Sequence, residues 1–477
     1  MSLHVVLINP RATDYPRIQQ KSYAPLNLLY IGALLEQDGH RVEVMDLNAT
    51  LVGDVEVKRL IDAARADVYA FPYFSEIASQ NLWLSELCRA ANPAAWIVMG
   101  GPGASPIPVQ CLEQFPEVDA IVRGEGEWTM QELVQRKERG DGLHGCLGVT
   151  FRADDGAIVQ NESRPVENDL DRLPFPAHHL VQDCYDRGLY YALLEAERPV
   201  GGIVTSRGCP FSCGFCYNTV SRYRMRSPEG ILEELTFMHE KLGVSFVEFN
   251  DILFTANRAR AERVFELLIA EKLPIRFAFK ARAPEITDRF VSLAKQAGAV
   301  QIGFGVESAD QDILERMNKK TTVEQCARGI EIVRRHGVRC HTGYVLGYPG
   351  ETPDTLRTTV DFIVRTKPTT VTIDVLLPYP DTPVYHEAKA DGTLVGEWSP
   401  HMTEYPWVKL PWIRRREDLE KARNWAVSRV FFRPFYAAQF GSLIARGMNG
   451  TLARYMAQET RLAVQPKLDL ATRAIGW

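Results

Sequence analysis

The stretch Gly202-Ile203-Val204-Thr205-Ser206-Arg207-Gly208-Cys209-Pro210-Phe211-Ser212-Cys213-Gly214-Phe215-Cys216-Tyr217-Asn218 opens as a short β-rich run and enters a loop with three cysteines. The cysteine spacing lets a compact loop wrap three thiolates around one inorganic centre. A cubane [4Fe–4S] cluster takes four ligands. Three stand in a row here and no fourth cysteine is near, so one iron is left open to an external ligand. A structural zinc site normally closes with four protein ligands, often as two Cys-x-x-Cys pairs. No second pair appears, and His178-His179 is too far upstream to complete a knuckle. Cys209, Cys213 and Cys216 are therefore read as the metal ligands of an open-iron cluster.

Downstream of this loop the chain alternates strand-like and helix-like segments. Candidate strands are 202–206, 245–250, Arg276–Lys280, 300–306, Arg339–Leu346 and 370–376, with amphipathic helices between them at 228–241, Arg258–Glu271 and 322–336. Parallel strands with helices outside predict a partial, open (β/α)6 barrel, whose chemistry belongs on loops at the strands' C-terminal ends. The cysteine loop follows the first of these strands, at that end.

Upstream, the first ~145 residues show a second βα series. Its strands are expected at His4–Asn9, Arg41–Asp46, 67–71, 96–99 and 120–123, and its first helix at Leu26–Gln37, stopped by Asp38-Gly39. Five such strands fit a flavodoxin-like doubly wound sheet with a ligand crevice beyond the strands' C-terminal ends. Residues 146–199 read as a linker with a small hairpin around Asp154-Asp155-Gly156, ending in the extended Leu173-Pro174-Phe175-Pro176. The expected division is 1–145 for the first domain, 146–199 for the linker, 200–385 for the barrel and 386–477 for a mostly helical C-terminal region.

Bulk properties agree with an α/β chain of two or three domains. There are 477 residues, 45% hydrophobic and 24% charged, with 60 acidic against 55 basic side chains. A net charge of −5 calls for neither nucleic acid nor an anionic membrane. The N-terminus lacks a basic region followed by an apolar one, and no run approaches ~18 apolar residues, so neither a signal peptide nor a membrane span is expected. The remaining cysteines, Cys88, Cys111, Cys146, Cys184, Cys326 and Cys340, are scattered and read as buried thiols. Together these point to a cytoplasmic location.

The cysteine segment resembles the radical S-adenosylmethionine (SAM) signature Cys-x3-Cys-x-aromatic-Cys. The whole chain resembles the subfamily with a cobalamin-binding-type domain ahead of the barrel, which includes B12-dependent methylases, the anaerobic magnesium-protoporphyrin cyclase and an aminoglycoside dehydratase. The resemblance implies an enzyme with a [4Fe–4S] cluster, SAM and cobalamin, an external flavodoxin- or ferredoxin-type electron donor and a small-molecule biosynthetic substrate. It places Phe215 near the adenine and extends to Val247-Glu248-Phe249-Asn250-Asp251, Lys280-Ala281-Arg282, Gly303-Phe304-Gly305-Val306-Glu307-Ser308 and Gly347-Tyr348-Pro349-Gly350-Glu351-Thr352. Asp251 falls among the expected cofactor contacts. Gly303 and Gly305 let backbone approach the adenosine, Glu307 and Ser308 suit the ribose hydroxyls, and Arg282 suits the SAM carboxylate.

For cobalamin, the corresponding residues are Gly100 and Gly101 in the turn after the fourth strand, and Gly124 and Glu125 after the fifth. No Asp-x-His-x-x-Gly motif supplies a cobalt-ligating histidine. The aromatic stretch Phe71-Pro72-Tyr73-Phe74 either fills the crevice, leaving a cobalamin-independent dehydratase or rearrangement enzyme, or turns into the core or interdomain contact. Tyr217 either donates a proton or hydrogen atom in catalysis or packs on the loop. Arg222, Arg224 and Arg226 either bind SAM or are solvated. His178, His179 and His341 are lone histidines, and the aromatic segment at 431–436 with its following helix reads as a cap on the barrel.

Overall fold

The computed structural model describes residues 2–12, 21–74, 77–192, 195, 198–217, 222–399, 404–431 and 434–436. Asn218 and the helix expected at 437–440 lie outside these. Strands β1 (His4–Asn9), β2 (Arg41–Asp46), β3 (Val68–Pro72), β4 (Trp96–Gly100), β5 (Ala120–Val122), β6 (Val149–Arg152) and β7 (Ile158–Gln160) form one sheet in the order β2-β1-β3-β4-β5-β6-β7. The first five are parallel and reverse order beside β1, giving the switch point of a flavodoxin-like sheet. The expected hairpin is β6–β7, and it extends this sheet antiparallel to β5. The sheet therefore continues past residue 145 to Gln160.

Helix Leu26–Gln37 has the expected bounds. Its Leu28 and Leu35 pack with Val5, Leu7 and Val42 on one face of the sheet. On the other face Phe71 and Tyr73 join Leu84, Ile97 and Leu112.

The second sheet comprises β8 (Val200–Ile203), β9 (Phe246–Phe249), β10 (Arg276–Lys280), β11 (Ala299–Glu307), β12 (Arg339–Leu346) and β13 (Thr370–Val375), all parallel and in sequence order. This is the open six-stranded barrel. Side chains alternate along each strand: Phe249, Phe277, Phe279, Ile302, Phe304 and Cys340 face the helices in one apolar core.

Boundary differences from the sequence have local causes. Thr322 and His336 are the caps of helix Val323–Arg335, with Thr322 and Gln325 forming a capping box. Strand β8 ends at Ile203 because Thr205 and Ser206 turn away onto Asp251. Helix Arg416–Phe431 packs on helix Pro353–Thr366 and β13, so the C-terminal region covers the last strand. No helix among the described residues is long and apolar enough to cross a membrane.

Candidate active site

Asp251, just beyond β9, fixes the start of the cysteine loop. Its carboxylate is buried and accepts from Thr205 N (2.7 Å), Ser206 N (3.1 Å), Ser206 Oγ (2.8 Å) and Thr205 Oγ1. Arg260 lies 3.7 Å away and donates to Thr205 O at 2.9 Å. Asp251 was expected to contact a cofactor. The structure corrects this: both of its oxygens are occupied by the loop's base, so it positions the cysteines.

The ends of the loop are clasped by a two-residue antiparallel ribbon, Ser206 opposite Met225 and Arg207 opposite Arg224. Gly208 takes φ 76°, and a Cβ there would come 2.5 Å from Arg222 O, so only glycine allows the turn. Gly214 N donates to Met317 O (2.8 Å), Gly214 O accepts from Val384 N (3.0 Å), and Asn318 Nδ2 donates to Ser212 O (2.8 Å). Cys209, Cys213, Cys216 and Tyr217 line one cavity of about 570 Å3. Among the described residues no three His, Cys, Asp or Glu groups converge on one point as ligands of a single ion. Cubane thiolates each bind their own iron and stand farther apart. Burial, then the neighbouring cysteines, pushes the bare Cys216 thiol up to about 11; coordination by iron reverses that preference.

The SAM-side residues are partly gathered at this loop. Phe215 meets Tyr348 edge-on at 6.5 Å, with Lys319 Nζ 5.8 Å from its ring centroid. Between Gly305 and Glu307 the register with β12 slips, as in a bulge that re-aims a side chain. Glu307 then takes φ 66°, a left-handed conformation costing about 1 kcal/mol in a non-glycine residue. Its carboxylate meets Lys319 Nζ at 2.6 Å. Burial opposes the lysine's charge, but Glu307 outweighs it, and Lys319 stays above its ordinary value. This pair was not visible in the sequence.

A Cβ on Gly305 would stand 1.9 Å from Glu307 Oε1. Gly305→Ala is therefore expected to displace the Glu307–Lys319 pair and weaken SAM binding about tenfold, ~1.4 kcal/mol, measured by equilibrium dialysis with labelled SAM. Gly303 lies in register between Lys280 and His341, its carbonyl accepting from Ala281 N at 2.8 Å.

Two other expected SAM contacts have partners within the protein. Ser308 is buried and turned outward, its Oγ 3.5 Å from Thr359 Oγ1 and accepting from Asp310 N at 3.2 Å, so it ties the strand end to a helix instead of meeting a ribose. Arg282 commits one corner of its fork within the protein. Its Nη2 donates to Lys319 O, to Lys320 O (3.0 Å) and to Thr321 Oγ1 (3.0 Å), and its guanidinium lies 3.7 Å over the Phe211 ring. It braces the cysteine loop. Tyr217 stacks on Tyr379 at 5.9 Å, which stacks on Trp398 at 4.9 Å, and burial pushes its phenol up to about 12. His178 is buried against Tyr185 (2.9 Å) and pushed down to about 4, a neutral packing residue, while exposed His179 pairs with Glu36.

A second cavity, of about 520 Å3, joins the two sheets. Its walls include Gly100, Gly101, Ser105 and Gly124 from the strand ends of the first sheet, and Val204 and Arg207 from the second. Phe71 and Phe74 line it, but Tyr73 turns into the core against Phe115 (5.8 Å), so the aromatic stretch leaves the crevice open. Apolar walls of Leu26, Met99 and Met130 with Asn9 and Asn27 among its polar groups suit a corrin and its amide rim. No histidine is among the described residues lining it.

Glu125, expected at cobalamin, is among the residues lining this cavity, and it also joins the domains. It meets Arg224 at 2.5 Å and Arg207 at 3.3 Å, and Arg207 also meets Glu127 at 2.5 Å. Arg224 is thus neither solvated nor at SAM, and Arg226 pairs with buried Glu234. Burial raises the Glu125 carboxyl, but Arg224 and Arg207 outweigh it and hold it below its ordinary 4.5. A depressed carboxyl stabilises the fold fully above pH 4.5 and loses that contribution as pH falls through the lower folded value. Glu125→Gln is therefore expected to cost about 1 kcal/mol at pH 7. The difference from wild type should shrink below pH 4.5, as read by thermal denaturation at both pH values.

With this geometry in place, the model of the radical SAM superfamily matches residues 203–363, covering the cysteine loop and β9–β12. The chain belongs to the radical SAM superfamily. A B12 binding domain model matches residues 20–134, so this radical SAM enzyme carries the cobalamin domain ahead of its barrel. The cofactors of these two domains are the [4Fe–4S] cluster, SAM and cobalamin. The chain is 27% identical to the uncharacterized methyltransferase PH0819 of Pyrococcus horikoshii over 94% of this chain and 98% of that protein. It is 25% identical to the anaerobic magnesium-protoporphyrin IX monomethyl ester cyclase of Rubrivivax gelatinosus over 81% of this chain and 70% of that one. Among solved structures, the radical SAM methyltransferase TsrM of Kitasatospora setae, with cobalamin and a [4Fe–4S] cluster bound, superposes with a TM-score of 0.72 at 20% identity. The superposition covers 96% of this chain and 100% of TsrM, a likeness of fold.

Proposed function

We propose that this radical SAM enzyme is a cobalamin-dependent methylase that places a methyl group on an unactivated carbon of a small molecule. The observation that carries the reading is the 520 Å3 cavity, whose walls come jointly from the strand ends of the B12 domain and from Val204 and Arg207 beside the cysteine loop. When bound, the cluster supplies one-electron cleavage of SAM to methionine and a 5′-deoxyadenosyl radical that takes a hydrogen atom from substrate, and cobalamin supplies the methyl carrier.

Per methyl transferred, two SAM and two electrons from a flavodoxin- or ferredoxin-type donor are consumed. Methionine, 5′-deoxyadenosine, S-adenosylhomocysteine and methylated substrate result. Cys209, Cys213 and Cys216 would hold the cluster through three thiolates. Asp251 and the ribbon fix the loop that carries them. The Glu125–Arg224 and Glu127–Arg207 pairs hold the two cavity walls in register, and Phe215, Glu307 and Gly305 flank the space beside the open iron. Tyr217 packs in the Tyr379–Trp398 column and keeps its proton at neutral pH. The alternative is a cobalamin-independent dehydratase with the crevice filled by residues 71–74; the packing of Tyr73 in the core against Phe115, away from the cavity, favours the methylase.

The test uses protein purified from a cobalamin-supplied host, desalted and reduced anaerobically with trideuteromethyl-SAM. Cobalamin absorption that survives desalting, with 5′-deoxyadenosine and S-adenosylhomocysteine both formed, is the expected result. A cluster spectrum alone with 5′-deoxyadenosine and no S-adenosylhomocysteine overturns methylation.

A further inference from the structure

The cavity between the two sheets has one polar group whose direction the chain itself fixes. Pro10 holds Asn9 extended, and alternation along β1 keeps the Asn9 side chain on the face of Leu7, toward helix Leu26–Gln37 and the cavity that Asn9 lines. In register beside it, at the end of β2, stands Asp46. Asn9 Nδ2 donates to Asp46 Oδ1 at 2.8 Å. The same carboxylate is buried and caps the short helix Leu47–Thr50, accepting from Ala49 N at 3.0 Å. Its other oxygen accepts from the buried Tyr190 hydroxyl at 3.0 Å.

Burial raises the Asp46 carboxyl, and the donors from Asn9, Ala49 and Tyr190 oppose that rise. A carboxylate ringed by three donors accepts from all of them. The Asn9 amide therefore turns its N–H2 end to Asp46 and leaves its oxygen for an occupant of the cavity. Among the described residues nothing donates to that oxygen. Tyr190 belongs to the linker, so the segment between the domains helps to set a polarity inside the cavity.

We propose that Asn9, held in this orientation by Asp46 and Tyr190, makes the cavity selective for corrinoids with carboxamide arms over those whose arms are free carboxylates. The proposal goes beyond the methylase reading and rests only on the assignment of this cavity to cobalamin. Asn9 contributes the contact; Asp46 and Tyr190 are positioning residues. A carboxamide N–H meets the fixed oxygen with a hydrogen bond. A carboxylate brings acceptors against an acceptor, and both sides lose water without a replacement. The other walls do not compensate. The charge of Arg207 is balanced by Glu127 at 2.5 Å and Glu125 at 3.3 Å, and Glu125 lines the cavity too. Asn27 on the same wall is exposed and can turn either end inward, so it discriminates little.

The test is equilibrium dialysis of the full chain, cluster-loaded and purified from a host grown without cobalamin, against cobalamin, cobyric acid and cobyrinic acid. Cobyric acid keeps the carboxamide arms and cobyrinic acid carries carboxylates in their place, both without a nucleotide, so this pair compares the arms alone. Wild type is expected to bind cobyric acid at least about tenfold more tightly than cobyrinic acid. Asn9→Ala should lose about tenfold toward cobalamin and cobyric acid and leave cobyrinic acid unchanged. Asp46→Asn lets the Asn9 amide turn its N–H2 inward and should narrow the ratio by strengthening cobyrinic acid binding. A purely structural role for Asp46 would weaken all three ligands alike and keep the ratio. Equal affinity of the wild type for the two acids, or an unchanged ratio in Asn9→Ala, overturns the proposal. An unchanged ratio in folded Asp46→Asn overturns the orientation by Asp46, and if that variant does not fold, Asn9→Ala decides alone. Retention of no corrinoid by the wild type overturns the assignment of the cavity and this proposal with it, whereas tight cobalamin with no preference between the acids overturns the selectivity alone.

Discussion

Cys213→Ala is expected to abolish the visible iron–sulfur absorption after anaerobic reconstitution and to lower 5′-deoxyadenosine formation at least about a thousandfold. That loss corresponds to ~4 kcal/mol in the barrier. Cys213 is the middle ligand of the three, its carbonyl accepts from Cys216 N at 3.0 Å, and its thiolate lies within the field of Lys319. Removing it leaves two ligands for a four-iron cluster, too few to keep the cubane while one iron stays open for SAM. The fold itself should barely respond, because Cys213 is half-buried and the loop is held by Gly214, Ser212 and Asp251. The matched control is Cys340→Ala, a buried thiol in the helix-facing core, whose burial pushes it well above its ordinary value. That variant should lower thermal stability by about 1 kcal/mol and retain iron. Equal iron loss in both variants would show that the cysteine loop is not the cluster site.

The contrast between these cysteines shows what the sequence could carry. Spacing of three and two residues after a strand is local information, and the fold puts that loop at the predicted strand end. The doubly wound sheet and the open barrel were legible for the same reason: apolar alternation and turn residues are read within a few positions. Pairings across long separations were not. Glu125 and Arg224 stand 99 residues apart, and nothing local in the Arg-Gly-Glu-Gly-Glu run, which lines the cavity as a ligand loop would, showed that its carboxylates also carry the domain contact. Ser308 and Arg282 had suitable types at strand ends, yet neighbours contributed later in the chain claim the Ser308 hydroxyl (Thr359) and one guanidinium nitrogen of Arg282 (the 319–321 segment). A strand-end residue type thus gives the position of a site, while the direction of its side chain is decided by tertiary partners.

Asp251→Ala is expected to lower stability by about 4 kcal/mol and the melting temperature by roughly 10 °C. The carboxylate is the hub of a dry polar cluster: four donors from Thr205 and Ser206 end on it, and Arg260, itself buried, lies beside it over the ring of Phe254 at 5.2 Å. Alanine leaves those donors without acceptors and strands a buried guanidinium, which costs more than the pair contributes when whole. Asp251→Asn keeps the shape but turns one acceptor into a donor facing donors, so an intermediate loss is expected. Differential scanning calorimetry of the three proteins before cluster loading checks the order, wild type above Asn above Ala. Cluster occupancy should then fall in the same order, since Thr205 and Ser206 launch the cysteine loop. If Asp251 instead served SAM directly, Asp251→Asn would melt like wild type and lose only SAM affinity. That result would return Asp251 to the cofactor, and the ribbon of Ser206 and Arg207 against Arg224 and Met225 would have to position the loop alone.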